Sequence, residues 1–252
     1  MTVHHREDGP RDAPALLLIN SLGADLSMWE PQIPALAGRF RVIRYDARGH
    51  GRSPVPPGRY TLAELGRDAL DLLDRLGVGR AHVCGLSLGG MTAMWLAAHA
   101  GERVDRLILF CTSALLGPAS AWAERAALVR AEGTAAVAGA VVARWVTPGY
   151  AAEHPAVAGR LRDMVAATPA IGYAGACAAI EEMDLRADLP RIHAPTLVVA
   201  GADDPATPPA HGAAIAAAVP GARLEVLADA AHLASLEQAD TANRLILEAL
   251  DG

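Results

Sequence analysis

Lysine is absent from this chain, and all 22 basic residues are arginines. Acidic residues number 28, so the formal net charge is −6, and no block of like charge occurs along the sequence. Nucleic-acid binding usually leaves a basic patch or stripe in a sequence. The lack of one predicts that the chain has no nucleic-acid partner.

Cysteine is scarce as well. The chain has three cysteines, Cys84, Cys111 and Cys177, at spacings typical of neither disulfide pairs nor metal sites. Cys84 and Cys111 lie in or beside apolar strand segments, so we expect them to be buried free thiols. We therefore expect no metal site and a reducing, cytoplasmic setting.

Long apolar runs are missing too. The longest, near residues 135–143, is too short to span a bilayer, and residues 2–14 are polar without the apolar core of a signal peptide. We expect no membrane partner and interpret His4 and His5 as part of a disordered terminus. Nothing in these features decides between a monomer and a homo-oligomer.

The residues that are present alternate between strand-like and helix-like segments. Hydrophobic residues make up 52% of the chain, enough for a substantial core. The predicted strands are residues 15–19, 41–45, 81–84, 106–110, 196–200 and 223–227. Helical patterns lie between most of them, which predicts an α/β fold with a mostly parallel central sheet flanked by helices.

Residues 114–190 interrupt this alternation. They show helical patterns over residues 121–133, 135–145, 157–167 and 172–183 and no convincing strand. We interpret this segment as an all-helical lid inserted before the last strands, with residues 1–113 and 191–252 forming the core. The alternative is that these helices simply cover the sheet.

The motif Gly85-x-Ser87-x-Gly89 lies between a predicted strand and a predicted helix. A sharp strand-to-helix turn crowds the backbone on both sides of the serine, and glycine leaves the needed room. The serine then lies at a helix N-terminus, which favours a developing negative charge. The motif predicts a nucleophilic serine; the alternative is a glycine-rich turn with an idle serine.

A nucleophilic serine needs a base and a carboxylate that orients the base. In hydrolases of α/β fold the order along the chain is serine, then the acid, then histidine, and the acid and the histidine each follow a later strand. Asp203 and Asp204 follow the strand at 196–200, and His232 follows the strand at 223–227. The spacing to Gly201 and Pro208 favours Asp204 as the acid, with Asp203 as a turn residue. For His232, the alternative is a loop histidine on a solvated face.

Two backbone N–H groups are expected to stabilise the oxyanion. One is that of Leu88, which follows the serine, and the other is that of Leu22, in the loop after the first apolar strand.

Five stretches together make the chain similar to a known family: residues 20–29, 44–51, 84–91, 172–177 and 200–209. The sequence resembles the 3-oxoadipate enol-lactonases of the α/β-hydrolase superfamily. The Asn20-Ser21 pair, which replaces a His-Gly pair common in the superfamily, and residues 172–177 are its narrower signals. Within residues 44–51 we interpret Arg48 and His50 as shaping a turn.

The resemblance implies an α/β-hydrolase fold and a reaction that opens the ring of a small anionic lactone. It implies Ser87 as nucleophile, His232 as base and Asp204 as orienting acid, with no metal or organic cofactor. The alternatives are a general carboxylesterase, a cofactor-free perhydrolase or carbon–carbon hydrolase of the same fold, and a ligand receptor without turnover.

An anionic substrate in a protein of net charge −6 needs a local cation. We propose Arg144 for its carboxylate and Trp145 for its ring face, with Trp122 as a weaker candidate. The alternative is a salt-bridged lid arginine beside a core tryptophan. Trp29 and Trp95 are expected in the core.

Overall fold

Seven strands form one central sheet in the computed structural model, which describes residues 1–251. They are β1 (His5–Asp8), β2 (Ala15–Ile19), β3 (Arg41–Tyr45), β4 (Ala81–Leu86), β5 (Val104–Phe110), β6 (Thr196–Gly201) and β7 (Arg223–Leu227). Their order across the sheet is β1-β3-β2-β4-β5-β6-β7, and β1 alone pairs in antiparallel fashion. The predicted α/β fold with a mostly parallel sheet is confirmed.

Strand β1 corrects the prediction of a disordered terminus. Its four residues pair with β3, and its two acidic side chains form ion pairs with arginines of that strand. Glu7 binds Arg41 at 2.6 Å, and Asp8 binds the buried Arg44 at 2.8 Å. A short polar edge strand lacks the alternation of apolar and polar residues by which strands are recognised. Its formation depends on β3 and the arginines there, which the local sequence does not reveal.

Helices follow most of the strands along the chain and pack against the sheet. Outside residues 114–190 they are α1 (Ile33–Leu36), α2 (Leu62–Arg75), α3 (Leu88–His99), α9 (Pro209–Ala218), α10 (Ala234–Glu237) and α11 (Ala239–Asp251). Helix α2 begins with a capping box in which Thr61 and Glu64 bond each other's backbone N–H groups. Helix α3 packs against β2, β4 and β5, and α9 packs against β6 and β7.

Only helices lie between β5 and β6 in the described chain, apart from a short 3-10 turn before β6. They are α4 (Ala119–Glu132), α5 (Ala135–Trp145), α6 (Pro148–Glu153), α7 (Pro155–Ala167) and α8 (Ala170–Glu182). Pro148 and Pro155 are the first residues of α6 and α7, a position at which proline is well tolerated. Helix α4 packs on α8, and α5 packs on α7.

Cys84 and Cys111 are free and buried, as predicted, and Cys177 is free and buried as well. Within residues 1–251 no cluster of three or more His, Cys, Asp or Glu side chains could hold a metal ion. No single helix in that range is long and apolar enough to cross a membrane, although the pair α7 and α8, bent by 92°, meets the length and composition test jointly.

Candidate active site

Ser87 occupies the sharp turn between β4 and α3. Its backbone has φ 58° and ψ −117°, a conformation that costs a non-glycine residue roughly 1–3 kcal/mol. A Cβ atom at Gly85 would lie 2.2 Å from the Gly89 carbonyl oxygen, and one at Gly89 would lie 2.1 Å from the Ile19 carbonyl oxygen. Both glycines are therefore required by backbone packing, and the motif forms the predicted elbow.

Asp204, and not its neighbour Asp203, reaches His232. The Asp204 Oδ2 atom accepts a hydrogen bond from His232 Nδ1 at 2.8 Å and another from the Thr207 hydroxyl at 2.7 Å. Its Oδ1 atom accepts from the backbone N–H groups of Ala206 and Thr207. Burial raises the pKa of the Asp204 carboxyl, but the bond and charge of His232 and the Thr207 bonds outweigh it and hold that pKa below its ordinary value. Asp203 is exposed.

The contact with Asp204 settles which nitrogen of His232 carries the proton. A carboxylate only accepts, so Nδ1 carries a hydrogen, and in the neutral imidazole the lone pair is then on Nε2. His232 and Ser87 line the same cavity. Within residues 1–251 no hydrogen bond joins their side chains, a looseness common in unliganded active sites.

A cavity of about 180 Å³ lies over Ser87. The predicted site residues that line it are Leu22, Ser87, Trp122, Arg144, Trp145 and His232. Residues of the helical segment between β5 and β6 thus line one cavity together with residues of the rest of the fold. Asp204 and Leu88 do not line the cavity. Asp204 contacts the Nδ1 atom of His232, and the Leu88 side chain is buried.

Two backbone N–H groups near Ser87 are unpaired in the described chain. Neither Leu22 nor Leu88 donates its N–H to another group within residues 1–251. Leu88 is the first residue of α3, where N–H groups have no partner inside the helix. Two free donors beside a nucleophile are what a tetrahedral oxyanion requires.

Arg144 shares the cavity with a second arginine, Arg125, which sequence reasoning missed. The Arg125 guanidinium stacks over the Trp122 ring at 4.8 Å. Burial lowers the pKa of Arg144, and the positive charge of Arg125 lowers it further. Neither arginine forms a salt bridge to a carboxylate of residues 1–251, so the alternative of a salt-bridged Arg144 is wrong. The i, i+3 spacing of Trp122 and Arg125 on one helix was the available signal.

The sequence matches a family model for the alpha/beta hydrolase fold over residues 14–239. The chain belongs to the α/β-hydrolase fold family. It is 42% identical to 3-oxoadipate enol-lactonase 2 of Acinetobacter baylyi over 94% of this chain and 89% of that protein.

Two further comparisons refine this placement. The crystal structure of the enol-lactonase from Burkholderia xenovorans LB400 is 44% identical, covers 99% of this chain and 96% of its own, and has a TM-score of 0.97. A candidate carbamate hydrolase, RutD, of Stutzerimonas stutzeri is 32% identical over 95% of this chain and 92% of that protein. The resemblance to the 3-oxoadipate enol-lactonase family is confirmed, and the chain is a hydrolase.

In this hydrolase, hydrogen bonds connect the end of α5 and the residues after it to the loop that carries His232. Leu233 donates its N–H to the Trp145 carbonyl at 2.7 Å. Glu237 accepts from the Ala231 N–H at 2.6 Å and, through its other oxygen, from the Thr147 N–H at 2.8 Å. The cavity end of α5 and both neighbours of His232 are therefore held together.

The remaining predicted positions of the hydrolase are structural. Arg48 pairs with Asp68 at 2.6 Å and with Glu64 at 2.8 Å outside the cavity. Trp29 is fully buried, as expected. Trp95 is only half-buried, and its ring stacks on His99 at 4.7 Å, so its placement in the core is correct only in part.

Proposed function

We propose that the chain hydrolyses 3-oxoadipate enol-lactone to 3-oxoadipate, a ring opening in the breakdown of aromatic compounds. The observation that carries this proposal is the single cavity in which Ser87 and His232 face Arg125 and Arg144. The names of the relatives support it, because an enol-lactonase is 42% identical to this chain.

The two arginines favour an anionic substrate over a neutral one. A half-buried guanidinium has lost part of its hydration. When no carboxylate of the protein pairs with it, it is free to form strong charge-assisted hydrogen bonds with the carboxylate of a substrate. The lactone carries one carboxylate arm, which the pair would hold at the lid side of the cavity. This orientation leaves the ring carbonyl for the Ser87 side.

Acylation follows from the geometry of the core side of the cavity. The Ser87 hydroxyl attacks the lactone carbonyl while His232 Nε2 takes its proton. The oxyanion is held by the N–H groups of Leu22 and Leu88. The ring C–O bond then breaks, the enol oxygen receives the proton from His232, and the enol becomes a ketone.

Deacylation reuses the same groups. Water gives a proton to His232 and attacks the acyl group on Ser87, and the returning proton restores the hydroxyl as 3-oxoadipate leaves. Asp204 orients His232 in both halves. The residues suffice for each proton transfer, so the proposal needs no cofactor.

The cavity volume is in keeping with a small substrate. About 180 Å³ is below the roughly 300–1,000 Å³ of sites that hold drug-sized ligands. A five-membered lactone with a short acidic arm belongs to the smaller class, whereas a long-chain ester does not.

The proposal is tested by the ultraviolet decay of the enol-lactone with the wild-type protein and with Ser87→Ala. We expect fast decay that the substitution abolishes, together with slow turnover of p-nitrophenyl acetate. Ser120→Ala, an exposed position on α4, is the matched control and should behave as wild type.

The other outcomes separate the alternatives. Good turnover of the ester with an untouched lactone would indicate a general carboxylesterase and reject the substrate. Saturable lactone binding without turnover would indicate a receptor and reject the enzymatic proposal.

A further inference from the structure

His50 contacts the loop that carries the Leu22 N–H group. Its Nε2 atom lies 3.0 Å from the backbone nitrogen of Gly23, and its Nδ1 atom lies 3.1 Å from the carbonyl oxygen of Arg48. The side chain is buried, with an exposed fraction of 1%, and does not line the cavity.

These two contacts leave one protonation state for His50. The Gly23 N–H can only donate, so Nε2 must be an unprotonated acceptor. The Arg48 carbonyl can only accept, so Nδ1 must carry the hydrogen. The imidazolium form would point a second N–H at the Gly23 N–H, and the contact would become repulsive.

The lid holds the same glycine from its other side. The Thr168 hydroxyl, just after α7, lies 3.3 Å from the Gly23 carbonyl oxygen and 3.2 Å from the Met164 carbonyl oxygen, so its one hydrogen is shared between these two acceptors. Gly23 has φ 79°, so the chain turns sharply immediately after Leu22. The orientation of the free Leu22 N–H therefore depends on how Gly23 is fixed.

We propose that His50 is a positioning residue of the oxyanion hole, which in its neutral, Nδ1-protonated form fixes Gly23 and thereby aims the Leu22 N–H at the substrate oxygen. The inference rests on the proposed function only in assuming that the reaction passes through an oxyanion at this site. Any ester substrate shares that feature.

The surroundings favour the neutral form. Burial lowers the pKa of His50, and this outweighs the bond to the Arg48 carbonyl and the negative charges of Asp46 and Asp25, which raise it. From the lid, Tyr173 contacts Gly23 and is itself neutral, since burial raises the pKa of its hydroxyl to about 12. Acidification well below the ordinary pKa of histidine would therefore be needed to break the contact.

Kinetics of His50→Ala and His50→Gln with p-nitrophenyl acetate test the role. His50→Ala should lower kcat by roughly 10–100-fold with KM changed by less than about threefold, since a misaimed oxyanion donor acts in the transition state. Gln can place its Oε1 atom near the position of Nε2, so His50→Gln should recover most of kcat. An unchanged kcat in His50→Ala, or equal loss in both variants, would overturn the proposal.

The pH profile gives a readout that a merely structural residue would not move. In wild type, protonation of His50 below its lowered pKa breaks the Gly23 contact, so the acid limb of kcat should carry one protonation more than in a variant without this histidine. In His50→Gln the limb should follow a single protonation. An identical steepness in both proteins would contradict the inference.

The protonation state is also measurable without any variant. Nitrogen-15 spectra of the histidine rings at neutral pH should show His50 with a protonated Nδ1 and a bare Nε2. A proton on Nε2 would overturn the inference. Because the ester and the spectra do not involve the lactone, failure of this inference and failure of the proposed substrate are distinguishable.

Discussion

At the scale of single residues, two adjacent aspartates have different surroundings. Asp204 is buried and accepts hydrogen bonds from Thr207 and His232, whereas Asp203 is exposed. Local spacing favoured Asp204, because a short loop after a strand fixes which side chain turns inward. The sequence could not predict the position of Arg125 in the same way, since it depends on how α4 packs against α5 and α8.

The first prediction concerns these aspartates. Asp204→Asn should lower kcat for p-nitrophenyl acetate by roughly 10³–10⁴-fold, because the amide can donate to Nδ1 and stabilise the wrong tautomer of His232. Asp203→Asn is the matched control and should stay within about twofold of wild type. Comparable losses in both variants would show that Asp204 is not the orienting acid.

At the scale of elements, the helical segment between β5 and β6 is joined to the His232 loop through Glu237, in α10. It binds the N–H groups of Ala231 and Thr147, one in the His232 loop and one at the start of α6. A single glutamate in a short helix carries no pattern from which these partners can be read. Strand β1 was missed for a related reason: its charges are compensated only once β3 lies beside it.

The second prediction tests this connection. Glu237→Gln removes the charge from three hydrogen bonds, those from the Thr147 N–H, the Thr147 hydroxyl and the Ala231 N–H, and replaces one acceptor oxygen by a donor. The free energy of unfolding should therefore fall by about 1.5–3 kcal/mol. We also expect kcat to fall severalfold with little change in KM, because the His232 loop loosens. Urea denaturation and ester kinetics measure both effects.

Glu248→Gln provides the comparison for Glu237. This exposed residue of α11 pairs only with Arg244, at 2.9 Å, and a pair of that kind contributes about 0.3–0.5 kcal/mol. Equal destabilisation by the two substitutions would contradict a special role for Glu237.

At the scale of the whole molecule, stability should depend on pH through buried histidines. Burial lowers the pKa of His50 and of His82 below the ordinary 6.5. As pH falls below 6.5 the unfolded chain takes up protons that the folded chain refuses, so the free energy of unfolding should decrease. Asp204, whose pKa is depressed, adds a further loss only below its ordinary 3.8, as pH falls toward its folded pKa.

This third prediction is measured by urea unfolding at pH 7.5, 6.5 and 5.0. Stability should be greatest at pH 7.5 and lowest at pH 5.0, and the dependence should be shallower in His50→Gln, which cannot titrate. A flat profile, or one that rises toward pH 5.0, would contradict the assignment of neutral buried histidines.

The alternation of strands and helices along the sequence was enough to predict the general architecture of the molecule. The candidate catalytic residues were predicted from the local motifs around Ser87, Asp204 and His232. The pair of arginines on which the proposed anionic substrate rests did not follow so directly, because Arg125 and Arg144 come together only when α4 and α5 fold. In a protein of net charge −6, these two arginines without a carboxylate partner are the feature that most restricts the class of substrate we propose.

The most direct measurement is the ratio of kcat/KM for the enol-lactone to kcat/KM for its methyl ester, which has the same ring and no charge. Wild type should strongly prefer the free carboxylate, and the double variant Arg125→Ala/Arg144→Ala should lose that preference through KM for the anion. Arg130→Ala, exposed on α4, should retain it. Equal rates on the two lactones in wild type, or a preference that persists in the double variant, would contradict the account.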